Sequence, residues 1–298
     1  MVVAASRPIA AHARSQRDPT RTTLLRNSYA RDLRGRFTDL ARLVRQTIEV
    51  NDALRLGAVP AVMTTAPATR YDFPVDAGKV EAFMDWLRRA ADDGVLQIYQ
   101  RSGQRITSRG EFQNIYVRRA YSAGLSQAEA AMQRLGTALP AGIETLLNQP
   151  IHIDALQMMY TRNFEELRGI TDQMSQQIAR TLTDGMVRGV GPREMARRIA
   201  ADIQKIGINR ATILARTEVI RAHAEASLNR YEQVGIQVLM PHVEFANAGD
   251  KKVCEKCKGL ETVDNGLGRG VFTIAQARGV IPVHPLCRCA WLPFLGGV

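Results

Sequence analysis

Apolar residues recur at steps of three and four along much of this chain, the spacing that gathers them on one face of an α-helix. The clearest run spans about nine turns between Asp154 and Met186, where Leu156, Tyr160, Phe164, Leu167, Ile170, Met174, Ile178 and Leu182 form one stripe. A second stripe, Tyr29, Leu33, Phe37, Leu40, Val44 and Ile48, predicts a long helix over about 20–54, with Arg26, Arg31, Arg34, Arg42 and Arg45 on its opposite face. Pro60, Pro67 and Pro74 exclude a helix from 57–75, which reads as a linker or extended crossing. Asp76 is placed to cap a helix that reaches about 92 and buries Val80, Phe83 and Leu87. Another helix is expected over about 110–122, and Ser126 with Glu129 has capping-box spacing for one that stops at Gly136. Pro140 and Pro150 bracket a short apolar segment.

Gly189 and Gly191 end the longest stripe, and Pro192 stands where a new helix would begin, running to about Gln204. Beyond Gly207 a further helix carries Ile213, Thr217, Ile220, Ala224, Leu228 and Tyr231 and stops at Gly235. Strands are expected only later, in IQVLMPHVEF (236–245) and around CRCAWLPF (287–294). The pattern predicts a mainly α protein with a small C-terminal α+β module, an elongated helical body and long helices at about 20–54 and 154–187. It divides the chain into a basic N-terminal arm (1–60), a helical region (61–150), a long helix with its connector (151–207) and a terminal module (208–298). Trp86 and Trp291 read as core anchors, His223 as a helix-face residue and His152 as isolated.

Composition changes this picture in one respect. The apolar content, 45%, is ordinary and sufficient for a core, but the formal charge is +11 and the pI near 9.9. Only six of the 40 basic residues are lysine. Guanidinium suits bidentate contact with phosphate or carboxylate, although a GC-rich genome produces the same bias. Residues 1–60 hold eleven arginines against five acids, and 251–298 seven basic residues against three acids, so the excess lies at the two ends. Arg26, Arg31, Arg34, Arg42 and Arg45, with Lys251 and Lys252, are the candidates for contact with nucleic acid or a partner; a merely solvated face is the alternative. No aromatic residue interleaves with those arginines in the manner of a base-stacking surface, so DNA contact is expected to be sequence-independent, carried by phosphate and salt-sensitive. The longest uncharged run, LGAVPAVMTTAPAT, holds two prolines and is too short to span a bilayer, and Arg7 interrupts the only signal-like stretch. A cytoplasmic origin with reduced cysteines is expected.

All four cysteines fall within the last forty-five positions. Cys254 and Cys257 have the spacing of a metal knuckle, and Cys287 and Cys289 would leave the same face of an extended strand. Four thiolates so placed can meet one ion tetrahedrally, as structural Zn2+ prefers, with His284 able to replace one sulfur and Asp250 near enough to support them. Lys251, Lys252, Lys256, Lys258 and Arg288 would offset the negative charge. Thiols or disulfides without metal are the alternative, since C-x-C is a less usual knuckle. Redox chemistry is the third reading, but its C-x-x-C opens a helix in a βαβ setting that is missing from the pattern. Zinc would hold together a module of about 50 residues that is expected to have little core of its own.

Taken in order, ILARTEVIRAHAEASLNRYEQVGI, FANAGDKKVCEKCKGLE and IPVHPLCRC resemble the Mu F-like minor head proteins of tailed bacteriophages. In that family a helix with an A-R-T-E core precedes an Asp-containing stretch, a C-x-x-C pair and a terminal H-P-x-C-R-C. The matching positions here are Arg216, Thr217, Glu218, Arg221, Ala222, Asp250, Cys254, Cys257, His284, Pro285, Cys287, Arg288 and Cys289, within about 208–290. The stretch before Asp250, HVEFANAG, lacks the tryptophan that the resemblance leads one to expect.

The resemblance implies a virion component present in few copies, made in the host cytoplasm and placed in the head interior or at the portal vertex. Its implied partners are the portal protein, other head proteins and packaged DNA, with no membrane during assembly. Basic ends suit DNA or an acidic portal surface. Some relatives carry a toxin domain beyond the module; this chain, which ends nine residues after Cys289, is expected to have none. No catalytic residue is expected. The reading from another class is a zinc-dependent nucleic-acid-processing or hydrolytic enzyme with the cysteine module as a structural finger. The sequence offers it no H-E-x-x-H, phosphate-cradling glycine loop or G-x-S-x-G. Arg216, Glu218, Arg221 and Glu225 have helical ion-pair spacing, and Arg216 and Glu218 are expected to anchor the module by bonding its backbone.

Overall fold

The structure, a computed structural model, describes residues 18–54, 56, 78–96, 114–136, 142–235 and 242–294. The 57–75 segment, Asp76, Pro140 and residues 236–241 lie outside them. The described residues are mainly helical, with one three-stranded antiparallel sheet near the C-terminal end.

Helix α1, Thr23–Arg45, starts where the Asp18 carboxylate accepts from the Thr23 amide (2.8 Å) and hydroxyl (2.6 Å). Every residue of its predicted stripe is buried. A wide π-type turn, Gln46–Val50, finishes the helix short of 54, and Asp52 turns the chain at φ 42°. Arg26 departs from expectation. It lies three residues before Tyr29, which puts it on the buried stripe, and it is only 6% exposed and paired with Asp18 at 3.0 Å.

Helix α2, Lys79–Ala91, continues through a similar turn, Asp92–Leu96, and buries Phe83 and Leu87, with Val80 and Trp86 half-buried. Helix α3, Ile115–Arg134, is one element where two were expected. Asn114 caps it, accepting from the amides of Tyr116 (2.8 Å) and Val117 (3.3 Å). Ser126 caps nothing: its hydroxyl donates to the Ser122 carbonyl at 2.9 Å, inside the helix. Gly136, at φ 68°, is the stop.

After the short α4, Ile143–Leu147, the long α5 runs Pro150–Val187 and starts four residues earlier than its stripe suggests. Proline is favoured at the first helical position, where its missing N–H costs nothing. The stripe is buried except for Phe164, which is half-buried. Helix α6, Pro192–Asp202, passes through a π-type turn, Ile203–Ile208, into α7, Asn209–Gly235. Gly207 makes no break. A Cβ there would come within 2.4 Å of the Phe37 ring, so packing accounts for the glycine. Ile213, expected on the buried stripe, is 40% exposed.

Strand β1 (His242–Ala246), helix α8 (Glu255–Thr262), strand β2 (Val271–Thr273), helix α9 (Ile274–Ala277) and strand β3 (Ala290–Phe294) follow. The sheet order is β2-β1-β3, with Val243 opposite Phe272 and Phe245 opposite Trp291. Three-residue β2 was not expected.

The chain divides into two compact units. One comprises Met1–Tyr29, Gln113–Arg162 and Ala215–Val298, and the other Ala30–Phe112 and Asn163–Leu214. In the second, the buried side chains include Leu33, Phe37 and Val44 of α1, Leu167, Ile178 and Leu182 of α5, and Met195 and Ile199 of α6. The first unit holds the sheet and all four cysteines. Its core joins Ala128 and Met132 of α3 and Ile220, Leu228 and Tyr231 of α7 to Phe245, Phe272, Trp291, Cys257, Cys287 and Cys289. The terminal module therefore shares a core with two helices instead of standing on a small one of its own. His152 is likewise not isolated. It bonds Tyr121 (2.8 Å) and Gln233 (3.1 Å) in a buried polar network, and burial lowers its pKa. No helix among the described residues is long and apolar enough to cross a membrane.

Candidate metal centre

Two short segments bring the cysteines together. In the first, the Asp250 carboxylate accepts from the Lys252 amide (2.9 Å) and its carbonyl from the Val253 amide (3.1 Å), a tight turn that delivers Cys254 to the start of α8. Cys257 follows on the first turn. In the second, the Cys287 amide donates to the His284 carbonyl (3.1 Å), and Leu286 takes the left-handed conformation at φ 68°. Cys287 and Cys289 are both buried, and the half-buried Arg288 stands between them. Arg288 reaches back to Asp250 through two parallel bonds of 2.7 and 2.8 Å, so one guanidinium–carboxylate fork ties the segments to each other. Those bonds hold the Asp250 pKa down to about 2.

The donor atoms of Cys254, Cys257 and His284 lie within 4.8 Å of one another, and so do those of Cys257, Cys287 and Cys289. Cys257 belongs to both groups. His284 Nδ1 faces the Pro285 carbonyl at 2.7 Å; a carbonyl only accepts, so Nδ1 carries a proton, and in the neutral ring Nε2 is the nitrogen left to ligate. The cysteines are free thiols, three of them buried. A bond from the Cys289 thiol pulls Cys287 down to about 5, and Cys289, which donates it from a buried position, is pushed up. Burial, then the charge on Cys287, pushes Cys257 up to about 12, while the Cys257 amide lowers the half-buried Cys254. Alone, the cluster thus accommodates little negative charge. A divalent cation supplies what the other sulfurs need to ionise, and soft sulfur donors suit it. The cysteine cluster can hold a metal ion.

Around this centre the predicted motif residues divide. Glu218, 3% exposed, pairs with Arg221 on its own helix (3.3 Å) and with Arg162 of α5 (3.6 Å). Arg216 does not bond the module's backbone as expected; it is half-buried and makes no hydrogen bond or ion pair among the described residues. The clamp is Arg278, just after α9, which donates to Glu225 (3.3 Å), Asn229 (2.9 Å) and Glu232, all on one face of α7. Sequence reading missed it. The 225, 229, 232 spacing of its acceptors was the available signal.

Of the basic candidates, Arg31 and Arg34 are exposed and make no hydrogen bond or ion pair with a side chain among the described residues. Arg42 pairs with Asp39 (2.6 Å) and Arg45 with Glu49 (3.3 Å), both at the surface. Lys251 and Lys252 are exposed. Buried Arg26 is not available to a duplex.

The family model described as Phage Mu protein F like protein matches residues 176–292. No curated protein and no solved structure matches the chain. The family match begins within α5, upstream of the motifs that suggested it, and takes in α6, α7, β1, β2, the first part of β3 and the four cysteines. Residues 176–292 are thus similar to the Phage Mu protein F like family, in line with the resemblance that the cysteine and helix motifs carry.

Proposed function

We propose that the chain is a structural phage head protein, acting in head morphogenesis from a position in the virion close to the portal. The family match over residues 176–292 carries this reading. The portal protein and other head proteins are its partners. Packaged DNA is a further one, contacted without sequence preference through Arg31, Arg34, Lys251 and Lys252, which are exposed. Zn2+ is the cofactor, held by Cys254, Cys257, Cys287 and Cys289 with His284 as the substitute ligand. It would compensate the thiolate charge and cross-link the two cysteine segments. Burial of Cys257, Cys287 and Cys289 supports a structural ion over one with an open coordination position.

The test is quantitative mass spectrometry of purified heads and of portal complexes drawn from cells making them. A few copies per head, recovered with the portal, is the expected result. Absence from heads would overturn the assignment, and major-capsid stoichiometry would overturn the vertex position. Metal analysis of the purified chain tests the zinc separately: one ion per chain is expected, with four thiols titrating only after chelation.

A further inference from the structure

We propose that Arg26, Arg216 and Arg288 form a seat for one phosphate-type oxyanion, where the start of α1 meets α7 and the cysteine module. The chain's own hydrogen bonds locate the place. Gln127 of α3 donates to the Pro19 carbonyl (2.8 Å), and its Oε1 faces His223 Nε2 of α7 (3.0 Å). The segment leading into α1 is thereby fixed against α3 and α7. Arg216 precedes His223 by two helical turns and so shares its face. Arg26 lies within Coulombic reach of both Arg216 and Arg288, and Arg288 within reach of Asp18.

Among the described residues, three guanidinium groups thus lie near two carboxylates, and the carboxylates are spoken for: Asp18 pairs with Arg26 (3.0 Å) and Asp250 with Arg288 (2.7 Å). Arg216 is left half-buried and without an acceptor among the described residues, beside two other cations. Buried donors nearly always have partners, yet Arg26 Nε is buried and unpaired as well. A planar guanidinium fork matches a phosphate or carboxylate edge, and one such anion would satisfy Arg26 Nε and Arg216 and balance the third positive charge.

The remaining orphan narrows the ligand. The Gln127 amide must donate to Pro19, so its oxygen receives the His223 Nε2 proton, and His223 Nδ1 is left as an acceptor. That atom is unpaired in a side chain only 1% exposed, and His223 is within Coulombic reach of Asp18 and Arg26. The ligand must therefore accept several bonds and also donate one. A phosphate that keeps a P–OH does both, whereas sulfate and a phosphodiester only accept. Free phosphate and a terminal phosphate monoester share this chemistry. The seat does not depend on the head-protein reading.

The experiment follows thermal unfolding of the full chain at constant ionic strength with sodium phosphate, sodium sulfate or sodium chloride. A 5′-phosphorylated thymidine dinucleotide and its unphosphorylated form are the further probes. With a millimolar Kd, about 10 mM phosphate raises Tm by roughly 3–6 °C and the rise saturates; sulfate acts more weakly and chloride not at all. A stronger rise with the phosphorylated dinucleotide identifies a monoester as the source, and equal or weaker action identifies free phosphate. Arg216→Gln abolishes the rise, and Arg31→Gln keeps it. In phosphate-free buffer Arg216→Gln leaves Tm unchanged or raised, because it removes an unpaired cation beside two others. Absence of a saturable rise with both phosphate probes, or an equal rise in Arg216→Gln, overturns the proposal. So does a marked fall in Tm for Arg216→Gln without phosphate, which would reveal a structural partner.

Discussion

Replacing Glu129 by alanine should be among the most damaging single changes to the unit that carries the cysteines. Glu129 of α3 accepts from Arg230 Nε and Nη2 of α7, both at 2.6 Å, and from Gln133 at 3.0 Å. The two charged side chains are 6% and 11% exposed. Removal of the carboxylate strands a guanidinium in the interior, and breaking such a buried pair costs about 3–5 kcal/mol. That is a third or more of the roughly 5–15 kcal/mol that holds a typical domain folded. The surface pair Arg42–Asp39, 72% and 69% exposed, supplies the contrast; Asp39→Ala should cost less than about 1 kcal/mol. Urea unfolding read by Trp291 fluorescence in a Trp86→Phe background reports on this unit, and m-values show whether the transition keeps its size. The double variant Glu129→Leu with Arg230→Met should recover most of the loss, since neither charge is then left alone. A loss below ~1 kcal/mol for Glu129→Ala, or a double variant as unstable as the single one, would refute the premise that this guanidinium is sealed from water.

Further expectations come from the same helix pair and from the basic face. A Cβ at Gly124 would sit 2.3 Å from the His223 carbonyl oxygen, so Gly124→Ala should cost at least about 1–3 kcal/mol in thermal or urea unfolding; Gly35→Ala, with open space around it, should stabilise by up to ~1 kcal/mol. Burial lowers the His223 pKa to about 4, so the unfolded chain takes up its proton near pH 6.5 and the folded chain only near pH 4. Stability is therefore full above ~6.5 and falls as pH drops through that window, by on the order of 3 kcal/mol; His223→Gln should flatten the profile, and an unchanged slope would count against the buried neutral imidazole. Nonspecific DNA binding, followed by anisotropy against salt, should show a log–log slope that falls by about one for each of Arg31→Gln and Arg34→Gln and stays put for Asp39→Asn.

What the sequence made legible were the faces of its helices, because burial of a stripe is a local matter of spacing. Leu33 through Ile48 and Leu167 through Leu182 are buried as the three-four steps require. What it hid were decisions taken by distant residues. Ser126 and Glu129 imitate a helix start, but Arg230 claims Glu129 from a hundred residues away and the helix runs on. Gly207 resembles a breaker, yet it is there to admit the Phe37 ring. At the candidate site the C-x-x-C and C-x-C pairs were legible from their spacing. So was Asp250 as a support to the site, but not its partner, since an aspartate four residues before a cysteine says nothing of the arginine it will meet.

That arginine gives the Asp250–Arg288 fork a job beyond surface pairing. Asp250 begins the turn that presents Cys254, and Arg288 stands between Cys287 and Cys289, so the fork closes the same loop that a metal ion bound by the four sulfurs would close. Each then lowers the ordering cost of the other, and the coupling is reciprocal. Asp250→Asn keeps the oxygen that accepts from Lys252 but loses the charge and one of the two bonds to Arg288. It should weaken metal affinity about 10–100-fold, as changes to groups that orient ligands do, although Asp250 is not itself a sulfur donor. Competition with a chromophoric chelator measures this, and affinity unchanged within about twofold would reduce the fork to an ordinary half-exposed ion pair. Acid provides an independent check. The Asp250 carboxylate is held down to about 2, so its contribution is complete above the usual carboxylate range and is lost only as pH falls towards 2. Metal release on acidification should come earlier than that, set by protonation of the thiolates, and Asp250→Asn should move its midpoint to higher pH without changing its steepness.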